Sequence, residues 1–194
     1  MFSEVEKDKI KNILLNDGVI AFVTDTVWGL GCLPSSEKAV KKIYQIKNRE
    51  AVKPLILMSN EIYHLFPFVK PIPMPAQRLI KEHFPGALTV VLDKTPKTPD
   101  YITSGMATVG IRVPDNSVFA EICKIIPEHV LATTSANVSH EPAALTYEEA
   151  IAYIGEKVDY VVEDYGCKAE GLASTVIGFV DGGIKVFRQG VVII

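Results

Sequence analysis

Arg112 lies in the run Thr108-Val109-Gly110-Ile111-Arg112-Val113-Pro114, where strand alternation sets Val109, Ile111 and Val113 on one face and Thr108, Gly110 and Arg112 on the other. An arginine in mid-strand needs an acidic partner or an anionic ligand, and the glycine beside it lets something approach the backbone. Taken alone, a solvated sheet face or a structural salt bridge explains it as well. Lys47, Arg49 and Lys53 form a second cationic group, at the predicted C-terminus of a helix and in the loop after it. There they either complement the helix dipole or clamp an anion, the guanidinium fork suiting phosphate or carboxylate and lysine acting as a point charge.

Hydroxyl groups gather at predicted strand ends. Thr133-Thr134-Ser135-Ala136-Asn137-Val138-Ser139 follows a predicted strand over 130–132, where loops of α/β sheets hold ligands. Its hydroxyls and amide suit phosphate or ribose oxygens, and equally suit turn capping. Thr24-Asp25-Thr26 carries the same ambiguity, and Ser174-Thr175 and Arg188-Gln189-Gly190 say little singly. No Ser, His and Asp grouping, Gly-x-x-x-x-Gly-Lys loop or His-Glu-x-x-His spacing is present, so no protein-held metal is expected. These residues describe an enzyme or binding domain that holds a small polyanion between hydroxyl-rich strand ends and cationic loops. They do not name a reaction.

The elements that must position them alternate between helix and strand. Ser3 with Glu6, and Thr146 with Glu149, stand in capping-box register ahead of helices over 3–16 and to about 154. Further helices are expected over 36–47, to about 84, and over 117–126. Strands are expected over 19–23, 54–58, 87–92, 108–113 and 130–133, with Gly29-Leu30-Gly31 read as a turn. Asp181-Gly182-Gly183 predicts a hairpin between 175–180 and 184–187.

Composition sets the outer limits. A chain of 194 residues, 48% hydrophobic and 22% charged, buries one core, so a single domain over 1–194 is expected. The longest apolar run near the start, Val19 to Val23, is far shorter than a bilayer span, and no secretory signal is seen, which reads as cytoplasmic. Cys32, Cys123 and Cys167 fit neither a disulfide framework nor a metal knuckle. A formal net charge of -3 gives no global footprint for nucleic acid.

Several of these segments resemble, in order, the YrdC/TsaC family. Val23-Thr24-Asp25-Thr26-Val27-Trp28-Gly29-Leu30-Gly31 is similar to its Pro-Thr-Asp/Glu-Thr-Val-Tyr-Gly-Leu-Gly signature. Lys47-Asn48-Arg49 resembles its Lys-x-Arg, Pro85-Gly86-Ala87-Leu88-Thr89 its Pro-Gly-x-x-Thr, Ser135-Ala136-Asn137 its Ser-x-Asn, and Ser174-Thr175-Val176 its Ser-Thr-Val. The resemblance implies a YrdC-like α/β fold: a twisted mixed sheet with flanking helices and an open basic cleft. It implies a threonylcarbamoyl-AMP synthase, in which the amine of L-threonine captures bicarbonate and the carbamate attacks the α-phosphate of ATP. Pyrophosphate leaves, and the product feeds tRNA modification through a downstream transfer complex.

By the same resemblance Thr24, Thr26, Arg112, Thr133 and Ser174 fall at threonine, and Arg49, Lys53, Thr108, Ser135 and Arg188 at ATP. Lys47 and Asn137 join the phosphates, Lys47 and Arg49 being the expected catalytic pair, with Mg2+ carried on the nucleotide. The chain departs from the family at Val23 for proline, Trp28 for tyrosine, Met58 for a histidine in some members and Ala143 for a serine in many. Its end shortly after Gly190 resembles the short form without an extra C-terminal domain. Two other readings remain: an RNA-binding module, against which the net charge argues, and a carbamoyl-adenylate-forming domain of larger carbamoyltransferases.

Overall fold

The computed structural model describes residues 2–48, 53–138, 141–180 and 183–194. Helix α1 (Glu4–Leu15) starts where the Ser3 hydroxyl accepts from the Glu6 amide at 3.2 Å, and it buries Ile10 and Leu14. Strand β1 (Ile20–Phe22) is buried throughout. Strand β2 (Gly29–Cys32) follows, and then α2 (Glu37–Ile46), capped by the Ser36 hydroxyl and buried along Ala39, Val40, Ile43 and Ile46. Asn48, at φ 46°, turns the chain out of that helix in the left-handed region that asparagine tolerates.

The remaining elements are β3 (Ile56–Ser59), α3 (Met74–His83), β4 (Leu88–Asp93), a short α4 (Asp100–Thr103), β5 (Thr108–Arg112), α5 (Ser117–Ile125) and β6 (Val130–Ser135). They are followed by α6 (Tyr147–Ile154), β7 (Tyr160–Val161), β8 (Thr175–Val180) and β9 (Gly183–Arg188). Among the described residues nine strands form one mixed sheet in the order β7-β1-β2-β6-β3-β5-β4-β8-β9. The β3–β5 and β4–β8 pairs are parallel, while β2–β6, β6–β3, β5–β4 and β8–β9 are antiparallel. Cys32 and Cys123 are buried, which pushes both thiols above their ordinary value.

Two expectations are corrected here. Gly29-Leu30-Gly31 is a strand, not a turn, because the ring of Phe22 lies against both glycines: a Cβ on Gly31 would stand 2.7 Å from Phe22 Cε1, and one on Gly29 2.9 Å from Phe22 Cε2. Glycine serves close packing there. Strand β6 also runs to Ser135 rather than stopping at Thr133, since β2 supplies a partner, pairing Gly29 with Ser135. The hairpin strands stand as expected, and the turn residues Asp181 and Gly182 lie outside the described residues.

Register sets the working face. Gly29 pairs with Ser135, Ile56 with both Thr133 and Gly110, and Met58 with Arg112, so these side chains share one face across β2, β6, β3 and β5. The C-terminal segment closes the far end, where the Gly190 amide donates to Thr175 Oγ1 at 2.9 Å. A Cβ on Gly190 would lie 2.1 Å from Ala173 O and 2.6 Å from Thr175 N, both backbone atoms. Gly190→Ala therefore lowers the melting temperature by about 2–12 °C, the overpacking cost of about 1–3 kcal/mol expressed in a chain of this length. A calorimetric midpoint within about 1 °C of the parent would show that the Ala173–Thr175 backbone yields freely.

Candidate active site

On that face lies a cavity of about 310 Å³, walled by the Thr24–Gly29 turn, by β3 and β6, and by the start of β8. Larger depressions of about 970 and 800 Å³ occur elsewhere. The first is edged by lysines already in ion pairs, Lys38 with Asp17, Lys41 with Glu37 and Lys42 with Asp159, and the second is mainly apolar. Size does not select the site. The smaller cavity is where buried hydroxyls and guanidinium groups converge.

Arg112 is 4% exposed and its guanidinium is held on three sides. Nε donates to Gly86 O at 2.9 Å, Nη1 to Thr26 Oγ1 at 2.8 Å and Nη2 to Asp25 Oδ1 at 2.5 Å. A guanidinium has five N–H donors, so two remain for a ligand in the cavity that Arg112 lines. Burial draws this group below its ordinary value, Asp25 pushes the other way, and Arg188 adds to the lowering. Arg112 and Arg188 both line this one cavity, so an anion there would meet two guanidinium groups.

The threonine hydroxyls divide by role. Thr24 Oγ1 donates to Val27 O at 2.6 Å and accepts from the Thr26 and Val27 amides, so it shapes the turn. Thr26 Oγ1 faces Arg112, and Thr133 Oγ1 makes only a long bond, 3.3 Å, to Ile56 O. At the other wall Arg188 reaches Ser174 through Nε and Nη2, both to Ser174 O, and through Nη2 to Ser174 Oγ. Ser174 Oγ is also 2.9 Å from Thr89 Oγ1.

Lys47 sits behind this wall, 2% exposed. Its ammonium donates to Ser135 O at 2.6 Å, Asn137 Oδ1 at 2.7 Å and Asn137 O at 3.0 Å, and also lies 3.5 Å from Ser135 Oγ. Ser135 Oγ donates to Asn137 Oδ1 at 2.7 Å, so Lys47, Ser135 and Asn137 act as one unit that fixes the exit of β6.

The cavity thus brings together Thr24, Thr26, Arg112, Thr133, Ser135, Ser174 and Arg188, with Lys47 and Asn137 directly behind. Arg49 lies outside the described residues. Lys53 is exposed next to Pro54 at the margin, and its carbonyl accepts from Tyr44 Oη. Thr108 is not in the cavity: it stands four residues before Arg112, about 13 Å along the strand, and lines a separate depression of about 440 Å³. Asp25 and Thr89 were not singled out from sequence, although each stands inside a recognised motif.

Residues 12–190 match the Sua5/YciO/YrdC domain, described as "Telomere recombination". The chain belongs to the Sua5/YciO/YrdC family. A putative threonylcarbamoyl-AMP synthase of Methanocaldococcus jannaschii is 36% identical over 197 residues, covering 98% of this chain and 90% of that one. The threonylcarbamoyl-AMP synthase of Pyrococcus abyssi is 34% identical over 172 residues, 89% of this chain but only 50% of its own length. Among solved structures, P. abyssi Sua5 complexed with L-threonine superposes with a TM-score of 0.90 at 30% identity, covering 98% of this chain and 55% of that one. This chain therefore spans about half the length of the Pyrococcus protein. Escherichia coli YciO, at a TM-score of 0.86 and 24% identity, shares the fold, covering 97% of this chain and 91% of its own.

The family's sheet carries this chain's departures into the cavity wall. Trp28, Met58 and Ala143 all line it. Trp28 is fully buried, its ring centroid 6.0 Å from that of Tyr147, and its Nε1 is the one buried side-chain nitrogen or oxygen among the described residues without a hydrogen-bond partner. Trp28 thus gives the cavity an aromatic wall whose polar end is unsatisfied. Among the described residues no helix is long and apolar enough to cross a membrane.

Proposed function

We propose that this chain is an L-threonylcarbamoyladenylate synthase, a nucleotidyltransferase that makes threonylcarbamoyl-AMP and pyrophosphate from L-threonine, bicarbonate and ATP. The observation that carries the reading is the convergence of Arg112 and Arg188, remote in sequence, on one hydroxyl-lined cavity. Arg112, with two N–H groups to spare, receives the threonine carboxylate beside Thr26. Arg188 and Ser135, backed by Lys47 and Asn137, take the nucleotide phosphates, and magnesium enters with ATP as part of the substrate.

Catalysis in this reading is alignment and charge stabilisation. The unprotonated amine of threonine bonds to the bicarbonate carbon and water leaves. A carbamate oxygen then attacks the α-phosphorus as its bond to pyrophosphate breaks. The product passes to a tRNA-modifying transfer complex. Pyrophosphate release from ATP, measured with threonine and bicarbonate each present or withheld, tests the whole scheme: release should require both. Release without threonine would favour a carbamoyl-adenylate activity, and no release in any mixture would sink the reading.

A further inference from the structure

We infer that the Thr89 hydroxyl, paired with Ser174 and set between Arg112 and Arg188, is the donor for the one-carbon anion, bicarbonate; this rests on the synthase reading. Thr89 comes from β4 and Ser174 from just before β8, parallel neighbours in which Leu88 pairs with Thr175. The pairing of Val90 with Ile111 sets Thr89 beside Arg112, and the Thr89 methyl lies 3.2 Å from where a Gly110 Cβ would be, on the cavity face. Thr89 and Ser174 are 1% and 4% exposed, and both line the cavity.

Proton counting makes the pair unusual. Two hydroxyls carry two protons, and their 2.9 Å contact uses one. Arg188 Nη2 donates to Ser174 Oγ, which consumes an acceptor position and supplies none. With Ser174 as the donor of that contact, the Thr89 proton is left without an acceptor at the wall of the cavity. A buried donor in that state favours a ligand that brings an acceptor.

The flanking charges define what kind. A guanidinium stands on each side, and Asp25, the carboxylate beside them, is already engaged by Arg112. A small, acceptor-rich anion fits this setting. In the synthase reading the threonine carboxylate lies at Arg112 and the phosphates at Arg188. The carbon that joins them must sit between, and in the strand order β5-β4-β8-β9 the Thr89–Ser174 pair occupies that place. The spare hydroxyl would bind a bicarbonate oxygen and retain the same oxygen in the carbamate, leaving the other to attack phosphorus.

Thr89→Val tests this by exchanging hydroxyl for methyl at nearly constant volume, while Ser174 keeps Arg188 as a partner. Initial rates of pyrophosphate formation are read in CO2-depleted buffer with bicarbonate, threonine and ATP varied in turn. The expected result is a KM for bicarbonate raised about tenfold or more, KM values for threonine and ATP within about twofold, and recovery in Thr89→Ser. Where Thr89→Val does not fold, Thr89→Ala is expected to give the same split. An unchanged bicarbonate KM overturns the inference, and a threonine KM rising by the same factor reassigns the pair to the amino-acid carboxylate. Absence of threonine- and bicarbonate-dependent turnover in the parent protein removes the synthase reading and this inference with it.

Discussion

Arg112→Lys lowers kcat/KM for threonine by about a hundredfold or more while the chain stays folded. Lysine retains a charge for Asp25 but cannot reproduce the planar fork that reaches Gly86 O, Thr26 Oγ1 and Asp25 Oδ1 at once. A hundredfold loss is about 2.7 kcal/mol, the size of one or two charge-assisted hydrogen bonds to a carboxylate. Alanine is the poorer test, because Asp25 would keep a largely buried charge without its partner, a defect that costs about 3–5 kcal/mol and confuses folding with binding. The measurement is pyrophosphate release against threonine concentration, paired with a thermal melt. A lysine variant with parental kcat/KM would mean that the substrate carboxylate is held elsewhere.

How much of this was legible in the sequence depended on whether a segment's structure is decided locally. Helices α1 and α6 were, because Ser3 and Thr146 cap them through bonds that span three residues. The β8 and β9 strands were marked by a turn signal between them. Strand β2 was not: its glycines spell a turn until the ring of Phe22, seven residues before Gly29, is found to occupy the space a side chain would need. Strand β7, two residues long, exists only through its pairing with β1.

The site divides the same way. Alternation along β5 placed Arg112 opposite the core face, which periodicity alone can do. It could not place Asp25, because that partner lies 87 positions away and comes from a turn rather than a strand. Nor could it separate Thr24 from Thr26. Both belong to one motif, yet one hydroxyl is committed to its own turn and the other to Arg112. Motif resemblance delivered most of the residues that gather, but it included Thr108, which lies elsewhere, and did not assign Asp25 or Thr89. Which of them have donors left to offer is a property of the folded network.

Lys47 carries the second large effect, and its burial decides how it should be read. Lys47→Met is expected to reduce kcat/KM for ATP by about a hundredfold and to lower the melting temperature by several degrees, since about 1–3 kcal/mol follows from leaving buried acceptors unmade. The acceptors include Ser135 O, Asn137 O and Asn137 Oδ1, and without the ammonium they must turn toward water, moving Ser135 from the cavity wall. A lysine that only contacted phosphate would lose ATP affinity with no change in melting. The two cases separate in a double-mutant cycle with Ser135→Ala. If Lys47 acts by holding Ser135 in place, the losses in kcat/KM are strongly non-additive, because the serine hydroxyl is already misplaced when the lysine is gone. Additive losses, with an unshifted melt, would instead put the ammonium directly on the nucleotide.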